Sequence, residues 1–307
     1  MRKAVVFGGA GFLGSHVADE LTSEGLEVAI FDRKRSPFLQ PSQKMLVGDI
    51  LNEKQVREAV RGADFVYNFA GIADIEECRA RPIDTVKYNI LGNSIILEAA
   101  ASEKAERFVF ASTMYVYSDA GAFYRISKQA SELMIEDFSR LHGLPYTIMR
   151  YGSLYGERSD ERNSVFRILK EAVTEGRITY YGSGEEEREF LHVKDAARSS
   201  VEVLDKSFRN ECVIVTGHKA VKYREFLEMV AEMLKGRVVV EYRERKQDTH
   251  YRITPYAFSP RFAKKMSPPQ HVDLGQGLLH CINEIYTGMQ DEKRKYVELS
   301  LGSMDMS

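Results

Sequence analysis

The chain has 307 residues, of which 44% are hydrophobic and 29% charged, a balance that is typical of folded globular proteins and argues against disorder. Lysines and arginines number 43 against 45 aspartates and glutamates, so no overall basic field exists to bind nucleic acid or an anionic membrane. No apolar run approaches the roughly 20 residues of a membrane span, and the stretch before Gly8 is too short for a secretory signal. Three scattered cysteines without a Cys-x-x-Cys pair exclude a disulfide framework and a thiolate zinc site. We therefore expect a cytoplasmic protein.

Apolar runs and helical stretches alternate through the first half of the chain. The runs are apolar at consecutive positions, which is typical of strands buried on both faces of a parallel sheet. They span residues 3–7, 27–31, 45–47, 65–70, 107–112 and 146–151. Between them lie segments with apolar residues at spacings of three and four, at 12–23, 53–61, 82–102 and 124–141. This order predicts an α/β fold, a Rossmann-type doubly wound parallel sheet with right-handed crossovers.

After residue 151 the pattern is less regular. The sequence predicts helices at 164–175, from 193, at 223–235 and from 274, and strands at 178–181, 212–216 and 238–243, with an irregular segment up to residue 269. Such mixed elements indicate a second, smaller α/β domain for the substrate, packed on the strand ends of the Rossmann-type domain. We assign residues 1–152 to the dinucleotide-binding domain with 188–216 returning to it, 153–187 and 217–288 to the substrate domain, and 289–307 to a C-terminal tail.

A glycine-rich loop joins the first predicted strand to the first helix. Gly8, Gly11 and Gly14 let the backbone turn tightly, approach a pyrophosphate and pack helix against strand. Phe12 and Leu13 open the helix, whose N-terminal N–H groups face the phosphates. Because strand-to-helix turns favour glycine anyway, a purely structural turn is the competing interpretation.

An acidic residue after the second strand strengthens the dinucleotide interpretation. Asp32 lies at about the 20-residue spacing beyond the loop at which a carboxylate accepts a hydrogen bond from a ribose hydroxyl. Its charge would repel a 2′-phosphate and therefore favours NAD. Arg33, Lys34 and Arg35 follow at once and would attract one, so NADP stays open as the second choice.

Two more strand ends lie on the same edge of the sheet. Asp49 and Ile50 follow the third strand, where a carboxylate can meet the adenine amino group; a helix N-cap is the alternative role of Asp49. Phe69, Ala70 and Gly71 end the fourth strand, where small residues allow close approach of a dinucleotide.

A tyrosine and a lysine four residues apart share one face of a predicted helix. Tyr124 is a poor base at its ordinary pKa of about 10, but the ammonium of Lys128 and a positively charged nicotinamide would favour the phenolate. Ser112 and Thr113 end the fifth strand, where a hydroxyl can hold a substrate alcohol. A Tyr-x-x-x-Lys pair by itself is commonly a solvated helix face, but after a complete dinucleotide fold it indicates catalysis.

Together these features resemble the extended short-chain dehydrogenase/reductases, specifically the NAD-dependent nucleotide-sugar epimerase/dehydratase family. The resemblance covers about residues 3–285. Besides the glycine loop and the Tyr-Lys pair, the matching segments are 68–71, 88–92, 110–113, 150–156, 181–184 and 188–190.

The resemblance implies a role for individual residues. Thr113 would bind the substrate hydroxyl, Tyr124 would be the base and Lys128 would bind the ribose. Arg188 resembles the arginine that contacts the substrate diphosphate, with a surface ion pair to neighbouring glutamates as the alternative. Asn89 would support the site, with plain helix packing as the alternative. The remaining expected contacts are Ser112 and Tyr151 to the cofactor, and Met114, Tyr115 and Ser153 to the substrate.

Three departures from the family pattern bear on the reaction. Relatives with 4,6-dehydratase activity carry Asp-Glu after the active-site threonine, where this chain has Met114 and Tyr115, which favours epimerisation. The loop between Tyr117 and Tyr124 is shorter than in relatives, so we expect a more open sugar pocket. Ser153 replaces the usual asparagine of Arg-Tyr-Gly-Asn.

The sequence therefore predicts a nucleotide-sugar epimerase that acts at C4 through a transient 4-keto sugar. A dehydratase, decarboxylase or 4-keto reductase is the alternative, and an NAD-binding protein without catalysis is the second. By resemblance, helices 82–102 and 124–141 would form a dimeric four-helix bundle, with apolar residues at 95–97 and 133–135, some of which must face the sheet. The seven histidines show no metal-ligand spacing, and His192 is interpreted as structural.

Overall fold

The computed structural model describes residues 1–244, 250–253, 255, 264–266 and 271–302. In these residues the strands are β1 (Lys3–Phe7), β2 (Glu27–Asp32), β3 (Lys44–Val47), β4 (Phe65–Asn68), β5 (Arg107–Thr113), β6 (Tyr146–Tyr151), β7 (Ser153–Tyr155), β8 (Arg177–Tyr181), β9 (Glu187–His192), β10 (Glu211–Val215), β11 (Ala220–Lys222), β12 (Val239–Arg243) and β13 (Lys264–Met266). The α-helices are α1 (Phe12–Ser23), α2 (Glu53–Val60), α3 (Ile75–Ala80), α4 (Pro82–Thr85), α5 (Gly92–Ser102), α6 (Ala122–His142), α7 (Ser164–Glu175), α8 (Val193–Glu202), α9 (Tyr223–Met233) and α10 (Leu274–Gly302). A π-helical turn spans Val86–Leu91, and 3₁₀ turns span Met114–Tyr117 and Lys206–Phe208.

The central sheet has eight strands in the order β13-β10-β6-β5-β4-β1-β2-β3, and every neighbouring pair is parallel. Strand order reverses after β1, so the carboxyl ends of β1 and β4 meet beside one crevice. The predicted fold class, a Rossmann-type doubly wound parallel sheet, is confirmed.

Each central strand contributes to two hydrophobic layers, which explains why its sequence is apolar at every position. In β1, Val5 and Phe7 pack with α2 and α5 on one face, whereas Ala4 and Val6 pack with α1 and α8 on the other. Because side chains alternate between the faces of a strand, burial on both faces requires an uninterrupted apolar run.

The other elements form a third hydrophobic cluster. A three-stranded sheet (β11-β9-β7) and a two-stranded sheet (β12-β8) pack with α7, α9 and α10 around Leu169, Phe226 and Leu278. Between these parts the chain returns to the main sheet, because β10 pairs with β6 and α8 packs beside α1.

The structure differs from the sequence-based elements in several places. Helix α3 was not predicted, because its six residues are too few to show a period. The predicted helix at 82–102 contains the π-helical turn in its middle. Strand β13 lies in the segment predicted to be irregular, most of which falls outside the described residues. The predicted C-terminal tail from residue 289 is helical up to Gly302 as part of α10, and residues 303–307 lie outside the described residues.

None of the helices within the described ranges is both long and apolar enough to pass through a lipid bilayer.

Candidate active site

The glycine loop is closely packed on both sides. Gly8 has a φ of +76°, and a Cβ there would lie 2.6 Å from the backbone nitrogen of Ala70 at the end of β4. A Cβ on Gly14 would lie 2.3 Å from the carbonyl oxygen of Gly8, so helix and loop touch directly. Gly11 is the N-cap of α1 and brings no side-chain acceptor to the helix terminus. The loop thus leaves the N–H end of α1 to an anionic ligand, which fits a pyrophosphate.

Asp32 lies at the end of β2 beside this loop. Its Oδ2 accepts a hydrogen bond of 3.2 Å from the N–H of Ala10, and its Oδ1 accepts one of 3.4 Å from the N–H of Lys34. The adjacent Arg33 guanidinium lies 4.9 Å above the centre of the Tyr88 ring. The carboxylate is therefore fixed at the crevice, while the nearest arginine packs on an aromatic ring.

At the third strand end, the structure corrects one interpretation. Asn52, not Asp49, caps α2 by accepting a hydrogen bond of 3.1 Å from Gln55 N–H, so the capping role considered for Asp49 is wrong. Asp49 Oδ1 accepts a hydrogen bond of 2.9 Å from the N–H of Leu51. Ile50 is buried in the hydrophobic core that α2 and α5 share, so its side chain packs rather than facing a ligand.

Asn89 lies in the π-helical turn and joins two parts of the site. Its Oδ1 accepts a 2.7 Å hydrogen bond from Ile72 N–H, and its Nδ2 donates to the Ile72 carbonyl oxygen and the Ser127 hydroxyl, both at 2.9 Å. Gly71 has a φ of +139°, and a Cβ there would lie 2.6 Å from Asn89 Oδ1. Asn89 thereby fixes the loop after β4 to α6, the helix that carries Tyr124.

The predicted catalytic residues come together at the end of β5. Thr113 ends this strand and shares a hydrogen bond with the phenol of Tyr124, which lies in the first turn of α6. One turn later, the buried Lys128 ammonium donates a 2.7 Å hydrogen bond to the Ala111 carbonyl oxygen. The same nitrogen lies 5.9 Å from the centre of the Tyr124 ring.

Burial controls the ionisation of this pair. It raises the pKa of Tyr124 to about 12, against the opposing effect of the hydrogen bond with Thr113. It also lowers the pKa of Lys128 to about 8. The expectation that the Lys128 ammonium makes the phenol acidic therefore does not hold for the protein alone, because desolvation disfavours both charged forms.

Ser112 has a different partner from Thr113. Its hydroxyl donates a 2.5 Å hydrogen bond to Glu132 Oε1, and this buried carboxylate forms a two-point ion pair with Arg150 at 2.6 and 3.0 Å. Arg150 also bonds to the Tyr117 hydroxyl. The hydroxyl that the strand end offers to Tyr124 is thus that of Thr113, while Ser112 belongs to a buried polar network linking β5, β6 and α6.

Two further predicted contacts point into the core. The Tyr151 hydroxyl shares a 2.7 Å hydrogen bond with Ser200 in α8, and its side chain belongs to the core of that face. Met114 is fully buried. Both side chains are therefore packed inside the protein. Ser153 is half-buried in β7, paired with Phe190.

Tyr115 meets residues that sequence analysis did not single out. Its hydroxyl lies 2.5 Å from His250 Nδ1, and its ring centroid lies 4.7 Å from that of Tyr251 and 6.2 Å from that of Tyr124. No local signal identifies His250 or Tyr251, since they lie far along the chain in a segment without periodicity. Both residues pack against Tyr115, beside the ring of Tyr124.

Arg188 is buried, with 4% of its surface exposed, so the surface ion pair considered for it is wrong. Its guanidinium lies 4.2 Å from the centre of the Tyr251 ring and 5.5 Å from that of Tyr223, and its Nη1 donates a 2.7 Å hydrogen bond to the Glu187 carbonyl oxygen. A series of aromatic contacts therefore links Arg188 through Tyr251 to Tyr115, whose ring in turn contacts that of Tyr124.

Fold and site together define a dinucleotide-binding α/β protein with a Tyr-Lys pair at the sheet edge. The model of the NAD-dependent epimerase/dehydratase family matches residues 4–216, and the chain belongs to this family.

Three similar proteins illustrate the range of reactions in this family. A putative UDP-glucose 4-epimerase of Methanocaldococcus jannaschii is 25% identical over 301 residues, which cover 91% of this chain and 97% of that protein. A UDP-N-acetyl-α-D-glucosaminuronate decarboxylase of Bacillus cytotoxicus is 28% identical over 239 residues, 69% of this chain and 74% of that one. The crystal structure of a UDP-glucose 4-epimerase from Thermotoga maritima with UDP-glucose superposes with a TM-score of 0.81 at 24% identity and covers 94% of this chain and 99% of that one.

Proposed function

We propose that this protein is an NAD-dependent epimerase that inverts C4 of a UDP-sugar through a transient 4-keto sugar. The observation that carries the proposal is the arrangement of Thr113, Tyr124 and Lys128 at the carboxyl end of β5, on the same sheet edge as the glycine loop. The similarity to UDP-glucose 4-epimerases over nearly the whole chain supports UDP as the nucleotide.

The crevice suits NAD. The uncapped N-terminus of α1 would bind a pyrophosphate, and Asp32 offers an acceptor to the adenosine ribose. NAD is favoured over NADP because Asp32 would repel a 2′-phosphate, and the adjacent Arg33 packs on Tyr88.

When bound, NAD supplies the acceptor, and later the donor, of the C4 hydride. The Thr113 hydroxyl holds the C4 hydroxyl, and the Tyr124 oxygen takes its proton and returns it after the keto sugar has turned over in the pocket. Because burial keeps the pKa of Tyr124 at about 12 in the protein alone, proton loss depends on positive charge placed beside the ring. Lys128, whose ammonium donates a hydrogen bond to the Ala111 carbonyl oxygen, would bind the nicotinamide ribose.

Dehydration is disfavoured by the residues after Thr113. Met114 is buried and cannot act as an acid, and Tyr115 has no carboxylate. Decarboxylation is the reaction of one of the similar proteins and is a defined outcome of the assay below.

The assay incubates the purified chain and NAD with UDP-glucose, UDP-galactose or UDP-glucuronic acid. We expect a product of unchanged mass and inverted C4, without net NADH; loss of carbon dioxide or water would contradict epimerisation. Tyr124→Phe should slow turnover by about 10²- to 10⁴-fold because the base is lost, while the NAD dissociation constant stays within about twofold. An unchanged rate in this variant would exclude Tyr124 as the base.

We further propose a homodimer through α4, α6 and the π-helical turn. Of the apolar residues predicted for this interface, Ile96, Leu97 and Ile135 are fully buried against the sheet. Seven apolar side chains on these elements are at least 41% exposed: Ile83, Val86, Leu91, Phe123, Ile126, Leu133 and, at the end of α6, Leu141. Such a stripe on two adjacent helices is suited to bury against a second copy of itself.

A further inference from the structure

Tyr115 and His250 form a hydrogen-bonded pair of titratable groups beside the base. The two residues are 135 positions apart, so the tertiary fold alone brings the phenol within 2.5 Å of the imidazole nitrogen. Tyr115 is also fixed to the catalytic strand end, because its N–H donates a 3.2 Å hydrogen bond to Thr113 Oγ1. Its ring meets that of Tyr124 edge to face.

We propose that Tyr115 and His250 are a second proton-transfer pair, which exchanges a hydrogen on a carbon next to C4 with solvent while the sugar is a ketone. This inference rests on the proposed oxidation at C4. A buried phenol needs a hydrogen-bond partner, and a backbone carbonyl would satisfy it; an imidazole in addition accepts and releases the proton. His250 is only partly buried, so the pair has an exit for that proton.

This hydrogen exchange needs no reagent other than the NAD of the proposed reaction. In the 4-keto sugar, the adjacent C–H bond breaks and its electron pair forms the enolate, whose oxygen is held by the hydroxyl groups of Tyr124 and Thr113. The Tyr115 oxygen takes the carbon-bound proton as its own proton passes to His250 Nδ1. Reversal returns a proton to the same carbon, and exchange at the imidazole in between makes it a solvent proton.

The test runs epimerisation in D₂O with the full chain, NAD and UDP-galactose as the first probe. Nuclear magnetic resonance locates deuterium on the sugar carbons, and chromatography separately measures the C4 isomer. We expect deuterium at C3 or C5 of the recovered sugars but protium at C4, because the hydride at C4 does not exchange with water.

The variants are compared by deuterium per isomerised molecule, which is independent of overall rate. Tyr115→Phe should lower this ratio about tenfold or more. His250→Asn keeps a hydrogen-bond acceptor but not a titrating group, so the same loss there separates proton transfer from positioning. Tyr286→Phe, a hydroxyl deletion on the exposed side of α10, should keep the ratio of the unaltered protein.

Isomerisation with protium retained at C3 and C5 would overturn the inference and leave the proposed function intact. Unchanged ratios in both Tyr115→Phe and His250→Asn would overturn it as well. Deuterium at C3 or C5 without a C4 isomer would support the pair and contradict the epimerase.

Discussion

At the scale of single residues, burial decides what the polar side chains of the site can do. It holds Tyr124 in its protonated, uncharged form and lowers the pKa of Lys128 to about 8, so at neutral pH the phenol is neutral while most of the lysine still carries its charge. Burial also leaves the charges of Arg150 and Glu132 to be stabilised by each other, because neither side chain has access to water.

Removing one member of this ion pair should destabilise the fold strongly. Glu132→Gln leaves the buried Arg150 guanidinium without its counter-ion, and we expect a loss of about 3–5 kcal/mol in the free energy of unfolding. Glu98→Gln breaks an exposed pair with Arg57 and should change the free energy by less than about 1 kcal/mol. Urea unfolding measures the free energy of unfolding of both variants. An equal loss in the two variants would contradict the greater importance of the buried ion pair.

Two glycines with similar positive φ angles, Gly8 and Gly25, allow a test of the glycine loop. Gly8→Ala would place a methyl group against Ala70 and should raise the NAD dissociation constant about tenfold or more, because loop and strand must separate. Gly25→Ala has a similar positive φ but no neighbour within 4 Å, so it should cost about 1–2 kcal/mol of strain only and leave NAD affinity unchanged. Calorimetric titration with NAD distinguishes the two.

At the scale of elements, the spacing of apolar residues predicted those strands and helices that are buried in a regular pattern. The strand runs and α1 were predicted almost to the residue, since burial of both sheet faces and one helix face leaves a strong pattern in the sequence. The π-helical turn at Asn89 was missed because its residues keep an apolar spacing close to that of an α-helix. The placement of His250 beside Tyr115 could not be predicted, because it depends on how a segment without periodicity packs.

The apolar stripe on α6 and the π-helical turn permits a test of the assembly. Leu133→Glu introduces a charge into the proposed interface, and we expect it to shift the mass of the protein in solution from dimer to monomer. Val239→Glu places the same charge on an exposed apolar position of β12, outside the proposed interface, and should leave the mass unchanged. Light scattering is the measurement, and a monomeric unaltered protein would refute the dimer.

At the scale of the whole molecule, Glu157 connects three separate helices. Its carboxylate lies 2.8 Å from Nζ of Lys194 in α8 and 3.3 Å from Nε2 of His192, the N-cap residue of that helix. It also lies 3.9 Å from Nδ1 of His280 in α10. Its carbonyl oxygen lies 3.1 Å from His16 Nε2 on α1. The interpretation of His192 as structural agrees with its Nδ1 accepting from Lys194 N–H at the start of α8.

This cluster predicts acid sensitivity. Burial lowers the pKa of His16 from 6.5 to about 4, so between these pH values the unfolded chain binds a proton that the folded protein does not. Stability should therefore fall as the pH drops from 6.5 to 4, by about 3 kcal/mol at most from this group. The pKa of Glu157 is lowered, chiefly by its contact with His192, and the stability that this carboxylate contributes is lost as the pH falls further.

His16→Asn should flatten the pH dependence of unfolding between pH 4 and 6.5, as measured by thermal melting across that range. His142→Asn, at the exposed end of α6, is the matched control and should leave the pH profile unchanged. A profile that survives His16→Asn would show that another group is responsible.

The return of the chain to the main sheet has a consequence for synthesis on the ribosome. Tyr67 donates a 2.9 Å hydrogen bond to the Ser200 carbonyl oxygen, and the buried Arg107 donates one of 2.7 Å to that of Val203. A nascent chain that has emerged only as far as β6 therefore exposes an open strand edge, the uncovered side of α1 and a guanidinium without these acceptors. The glycine loop, although made first, acquires its final support only when residues up to 215 have left the exit tunnel.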